Sequence, residues 1–278
     1  MTRVLVIGSS HVAAYKNAAD AFSAAHPQVE LAFFGVRGPL FLTGTTDKKG
    51  VFTPGYRDAA EKKAVTQVNG RAGVETGGVD HLLLVGHRFA FVQIASLLEH
   101  HDVIEGMRTG RADLISETLL SEVIESTTRA AVSEAVAGFE NARAPLTFAP
   151  APYPAESVIE RGEGYELARV MAAFWARPDA AWVFDLAMTA LKSEMARRGH
   201  HFLDQPDRLN AGPFATKATF AQRAAAMDSG VLAKTDHRHM NADYGLAMLE
   251  HFAQTRLGPS ARISPRTDTT TTHKERIA

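Results

Sequence analysis

The sequence predicts an α/β protein with a mostly parallel, doubly wound sheet and helices on both faces. Three observations lead there. Val4-Leu5-Val6-Ile7 is an unbroken aliphatic run, the pattern of a strand buried on both faces. An alanine-rich helical stretch follows at once, and Val29-Glu30-Leu31-Ala32-Phe33-Phe34 reads as a second strand. Strand, helix and strand within residues 2–34 make a βαβ unit, which requires a parallel pair and a right-handed crossover. The same alternation then recurs along the chain, as doubly wound folds require.

The elements follow in order. Residues 12–25 carry Val12, Ala13, Ala14, Ala18, Ala19, Phe22 and Ala25 on one helical face, and Pro27 ends that helix. Gly35-Val36-Arg37-Gly38-Pro39 closes the second strand. Residues 43–79 are rich in Gly, Thr and Lys, with an alternating piece at Ala64–Val68 and an Asn69-Gly70 pair. Asn-Gly is a strong hairpin signal, so this stretch is expected to be a small antiparallel β-hairpin insertion. A buried strand returns at Val79–Gly86. A long helix is expected over 111–142, a fourth strand over Pro145–Ala149, and a helical stretch over 164–198 interrupted at Pro178. Gly199–Leu203 reads as the last strand, 204–240 as loop with one short helical piece near 217–227, and 241–256 as a closing amphipathic helix. The expectation is one domain over 1–257 followed by a polar, Thr-rich, disordered tail over 258–278.

Composition narrows the function classes. With 45% hydrophobic and 22% charged residues and a net charge of −1, the chain has no basic block of the kind nucleic acid requires. The absence of cysteine excludes disulfides, thiolate metal sites and a thiol nucleophile. No apolar run has the length of a membrane span, and the amino terminus enters the first strand without a secretory pattern. A cytoplasmic, soluble protein is expected, with no membrane or nucleic-acid partner. The chain has 12 histidines, but the pairs His100-His101 and His200-His201 share no ligand spacing, so no metal and no cofactor is expected.

The chemistry gathers where strands end. After the first strand stands Gly8-Ser9-Ser10-His11; after the second, Gly35-Val36-Arg37-Gly38; near the carboxyl end, Asp236-His237-Arg238-His239 precedes the last helix. A strand that breaks into a helix exposes its turn residues beside free backbone N–H groups and the positive helix terminus. A serine there can be an N-cap, a phosphate cradle or a nucleophile. The phosphate reading lacks both glycine-rich nucleotide patterns. The nucleophile reading needs a base and a group to orient it, and an Asp-x-x-His turn can present both. His239 is the preferred base over His237, because the neighbour directly after Asp236 points elsewhere in most turns. Tyr153, Phe174, Trp175 and Trp182 are expected to be packing residues.

These motifs resemble those of the SGNH/GDSL hydrolases, esterases and acyl-transfer enzymes on a flavodoxin-like three-layer α/β/α sandwich. The resemblance implies Ser10 as nucleophile, His239 as base and Asp236 as its partner. Ser9 stands where the family has aspartate. Gly38 matches the family's second motif and implies an oxyanion donor. The third motif departs: Gly86-His87-Arg88 occupies the place of Gly-x-Asn, so Arg88 or His87 would have to replace the oxyanion asparagine. The implied function is hydrolysis of an ester of a small molecule or saccharide. The alternatives are O-acyl transfer by the same residues, or a repurposed protein that binds a carbohydrate or a protein partner.

Overall fold

The computed structural model describes residues 1–106, 109–111, 113–226, 230–231 and 236–258. The expected tail after position 258 lies outside the described residues. Five strands form the central sheet: β1 (Thr2–Gly8), β2 (Val29–Gly35), β3 (His81–His87), β4 (Leu146–Pro150) and β5 (His201–Phe202). They lie side by side as β2-β1-β3-β4-β5, and every pair is parallel. This is the flavodoxin-like order, in which the chain leaves β1 on one side and returns on the other. The crevice at the carboxyl ends of β1 and β3 is therefore the topological switch point, where open α/β sheets bind their ligands.

Alternation along β1 and β3 divides the core between the two sheet faces. Val4, Val6, Leu83 and Val85 pack under helices Val12–Asn17 and Ala242–Phe252. Leu5, Ile7, Leu82 and Leu84 pack on the other face against helices Glu117–Ala137 and Ala180–Arg197. Each of these fully buried aliphatic side chains contributes roughly 1.5–3 kcal/mol. A third cluster joins helices Phe91–His100 and Glu166–Trp175. In it Tyr153 and Phe174 are buried and Trp175 and Trp182 pack at the margin, as packing residues should. No helix among the described residues is long and apolar enough to cross a membrane.

Two local expectations are corrected. Ala64–Val68 and Asn69 belong to helix Ala59–Asn69, and Gly70 ends it in the left-handed conformation at φ 70°. Asn-Gly suits a helix terminus as well as a hairpin, and here Asp58, accepting from the Glu61 N–H, starts a helix that decides the matter. The antiparallel element of this stretch is instead a three-stranded sheet of Thr45–Thr46, Val51–Thr53 and Val74–Glu75. Its hairpin turns at Asp47–Gly50, where the Asp47 carboxylate accepts from the Lys49 and Val51 N–H groups. The helix expected over 12–25 is two pieces, Val12–Asn17 and Ala19–Ala25, joined at Ala18.

Candidate active site

The strand ends are drawn together by hydrogen bonds and by glycines. Ser9 N–H donates to the Val85 carbonyl at 3.0 Å, and Val36 N–H donates to the Gly8 carbonyl at 3.0 Å. A Cβ on Gly8 would lie 2.1 Å from the Val85 oxygen, so only glycine lets β1 and β3 end this close. Gly86 adopts φ +100°, and a Cβ there would collide with Ser9 Oγ at 2.0 Å. These two glycines seat Ser9 against β3 and turn the next residue, Ser10, toward the crevice.

Ser10 does not cap the helix. The N-cap position falls on His11, and no side chain bonds there. The Ser10 hydroxyl instead lies 2.8 Å from His239 Nε2. His239 Nδ1 lies 2.7 Å from Asp236 Oδ2, and Asp236 Oδ1 accepts from the backbone N–H groups of Arg238 at 2.8 Å and His239 at 2.9 Å. A carboxylate can only accept, so Nδ1 carries the proton and Nε2 offers its lone pair to Ser10. Burial on its own would raise the Asp236 pKa. The hydrogen bonds from the His239 ring and the two N–H groups outweigh that and hold the carboxyl well below its usual range. Asn241 caps the following helix by accepting from the Tyr244 N–H, which fixes where the Asp-x-x-His turn ends and the helix starts.

The rival histidine is accounted for separately. His237 faces away, with Nδ1 3.1 Å from Ser157 Oγ and its carbonyl accepting from the Ala155 N–H.

Three solved structures are similar in outline. The periplasmic domain of the Salmonella ser. Paratyphi A lipopolysaccharide acetyltransferase is 8% identical, covering 92% of this chain and 83% of its own, with a TM-score of 0.40. A Myceliophthora fergusii carbohydrate esterase family 2 enzyme with its carbohydrate-binding domain is 12% identical over 91% of this chain and 65% of its own, at a TM-score of 0.37. A GDSL-like lipase from Bacteroides thetaiotaomicron is 10% identical over 91% and 86%, at 0.35. No family model and no curated protein matches the chain.

Two backbone N–H groups just past β1 and β2 are free. Neither the Ser10 N–H nor the Gly38 N–H donates a hydrogen bond within the described residues. Gly38 opens the one-turn helix Gly38–Leu42 just past β2, so its N–H is one of the free donors of a helix start.

The third motif divides. Arg88 is exposed and lines a cleft of about 390 Å³ together with His11, Phe89, Phe91, Tyr153 and Arg238. His87 touches the same cleft but is 4% exposed, with its ring set in the core. Its ring packs among Phe41, Phe89, Phe139 and Phe148 at centroid distances of 4.6, 6.0, 6.3 and 5.6 Å. Burial pushes its pKa down to about 3, and its Nε2 has no partner among the described residues.

Two residues of the site were not given roles from the sequence. His11 stacks on His239, with ring centroids 4.9 Å apart and planes at 30°. Burial first, then the charges of His239, Arg88 and Arg238, push the His11 pKa down to about 3. It is thus a neutral ring that holds the face of the base. Arg238 lies inside the Asp-x-x-His turn and reaches the cleft. The signal for both was adjacency: each sits next to a residue already singled out. Among the described residues no group of three or more His, Asp or Glu side chains is arranged to hold a metal ion.

Proposed function

We propose that the protein is a serine-dependent esterase or acyl-transfer enzyme. The observation that carries this reading is the hydrogen-bonded chain from Ser10 Oγ through His239 to Asp236. A hydroxyl is a weak nucleophile near neutral pH and needs a base in hydrogen-bond reach. Ser10 Oγ attacks the ester carbonyl carbon while its proton passes to His239 Nε2. Asp236 holds the ring in the right tautomer and stabilises the imidazolium. The tetrahedral oxyanion accepts hydrogen bonds from the N–H groups of Ser10 and Gly38. As the C–O bond breaks, the leaving alcohol takes the proton from His239. Water then repeats the sequence on the acyl-enzyme and releases the acid and free Ser10. An alcohol in place of water gives acyl transfer with the same residues, and a short-chain ester or an O-acylated saccharide is the substrate class.

The test is turnover of 4-nitrophenyl acetate by the wild type and Ser10→Ala, with labelling by a serine-directed organophosphonate read by mass spectrometry. The expected result is a fall of at least about 10³-fold in kcat for Ser10→Ala, with the label on Ser10 alone. Wild-type protein that neither turns over short acyl esters nor takes the label overturns the reading. Added methanol or glycerol distinguishes the two outcomes of the acyl-enzyme, since a transferase forms the new ester in preference to free acetate.

A further inference from the structure

The cleft lined by His11, the residue after Ser10, also holds the guanidinium groups of Arg88 and Arg238. Arg88 enters it from the end of β3 and Arg238 from the Asp-x-x-His turn. Among the described residues neither side chain forms an ion pair or a hydrogen bond. Exposed arginines of this chain occur both without such partners, as at Arg71 and Arg129, and with them. The Arg57 side chain is 82% exposed and still pairs with Glu61, and that of Arg208 is 54% exposed and pairs with Glu250 at 2.6 Å. Arg88 and Arg238 come from segments 150 residues apart in sequence and converge on one crevice, beside the same His11 ring.

At the Ser10 end the ionised Asp236 offsets one guanidinium of the two, which leaves a single net positive charge. His11 and His87 are neutral rings, and the one carboxylate on the cleft wall, Glu166, belongs to the first turn of helix Glu166–Trp175. Phe89, Phe91, Tyr153 and Val170 make the remaining wall apolar, and low-dielectric walls strengthen the field of the two cations. With the Ser10 and Gly38 N–H groups as oxyanion donors, that transient charge calls for at most one further donor, and two guanidiniums stand here. A planar guanidinium fork matches carboxylate and phosphate oxygens.

We propose that Arg88 and Arg238 hold a second, permanently anionic group of the substrate, a carboxylate or a phosphate, while its ester carbonyl lies at Ser10. The substrate class is then an anionic ester. This rests on the acyl-transfer reading of Ser10.

Matched esters test it. On the alcohol side the pair is 4-acetoxybenzoate and its methyl ester, with 4-acetoxyphenyl phosphate as the phosphate arm. On the acyl side the pair is 4-nitrophenyl hemiadipate and 4-nitrophenyl methyl adipate. The expected result is a charged-to-neutral ratio of kcat/KM of at least 10 in one series, carried by KM and reduced by added salt. That ratio falls toward 1 in Arg88→Gln and Arg238→Gln, with folding checked by circular dichroism. A ratio of 1 or less in both series, or one unchanged in both variants, overturns the proposal. Calorimetric binding of 4-acetoxybenzoate and its methyl ester to Ser10→Ala separates this site from the chemistry. If the wild type turns over none of the esters while Ser10→Ala still binds the acid ten times tighter, the catalytic reading falls and the anion site stands. Turnover of acid and methyl ester alike removes the anion site alone.

Discussion

Gly245 meets the backbone of Ala14 so closely that a Cβ at position 245 would lie 2.1 Å from the Ala14 carbonyl oxygen. This contact clamps helix Ala242–Phe252 onto helix Val12–Asn17, with Tyr15, Tyr244 and Met248 buried around it. Ser10 stands just before the first of these helices and His239 just before the second, so their separation sets the reach between hydroxyl and base. Gly245→Ala forces the helices apart because the obstructing atom is backbone. The expected cost is about 1–3 kcal/mol in urea denaturation. A displacement of about 1 Å at the base also costs about 100-fold in ester turnover. Full activity in a stably folded Gly245→Ala protein would show that this clamp does not position the base.

Asp236 is expected to matter to activity and to acid stability through one cause. Its carboxyl is held ionised by the His239 ring and two N–H groups against the opposing effect of burial. Asp236→Asn frees the other tautomer of His239 and lowers kcat by up to about 10⁴-fold. The folded pKa lies below the unfolded value of about 3.9, so the stabilisation is fully present above that value and is lost as pH falls through the folded one. The stability difference between wild type and Asp236→Asn should therefore be flat above about pH 5 and shrink in more acidic buffer. Chemical denaturation across pH measures it, and a difference that grows toward acid would contradict the assignment.

How far the sequence could be read depended on the range of the interaction involved. β1 was legible because Val4–Ile7 is apolar on both faces, and its neighbours followed from the rules for parallel sheets. That Ser10, Asp236 and His239 come together could be anticipated because each stands at an element boundary marked by local residues. The error at Asn69-Gly70 came from a dipeptide that serves two backbone conformations. The Asp58-x-x-Glu61 start of that helix, eleven residues earlier, was the competing signal. His87 could not be assigned from Gly86-His87-Arg88, because its surroundings are set by Phe41 and Phe139, each about fifty residues away. Gly86 carries φ +100° in the bulge where β3 slips against β4, which sends the His87 ring into the core and leaves Arg88 outside.

Buried as it is, His87 makes the fold acid-sensitive. The unfolded chain takes up a proton at this ring near pH 6.5, whereas the folded ring stays neutral down to about pH 3. The unfolded state binds more protons in that window, so stability falls as pH drops from 6.5 toward 3. At pH 5 the contribution is about 2 kcal/mol of lost stability relative to neutral pH. His87→Leu keeps an apolar group of similar size inside the Phe41, Phe89, Phe139 and Phe148 cage. Its unfolding free energy should vary less with pH between 6.5 and 5, by about 2 kcal/mol over the interval. Parallel pH profiles for the two proteins would sink the idea.

The two serines of the opening turn should separate cleanly. Ser9 is 3% exposed, and its hydroxyl has no hydrogen-bond partner among the described residues, lying instead where a Cβ of residue 86 would be. Removing a buried hydroxyl that bonds nothing leaves no orphaned partner, so Ser9→Ala should change stability by less than about 1 kcal/mol and leave ester turnover near the wild-type level. Ser10 is half-buried, and its hydroxyl ends the chain of bonds that runs through His239 to Asp236. Ser10→Ala should keep the fold, lose turnover by at least about 10³-fold and lose the organophosphonate label. Measuring kcat and labelling in both variants decides the assignment, because activity lost in Ser9→Ala and kept in Ser10→Ala would move the nucleophile by one residue and break the geometry on which the proposed reaction depends.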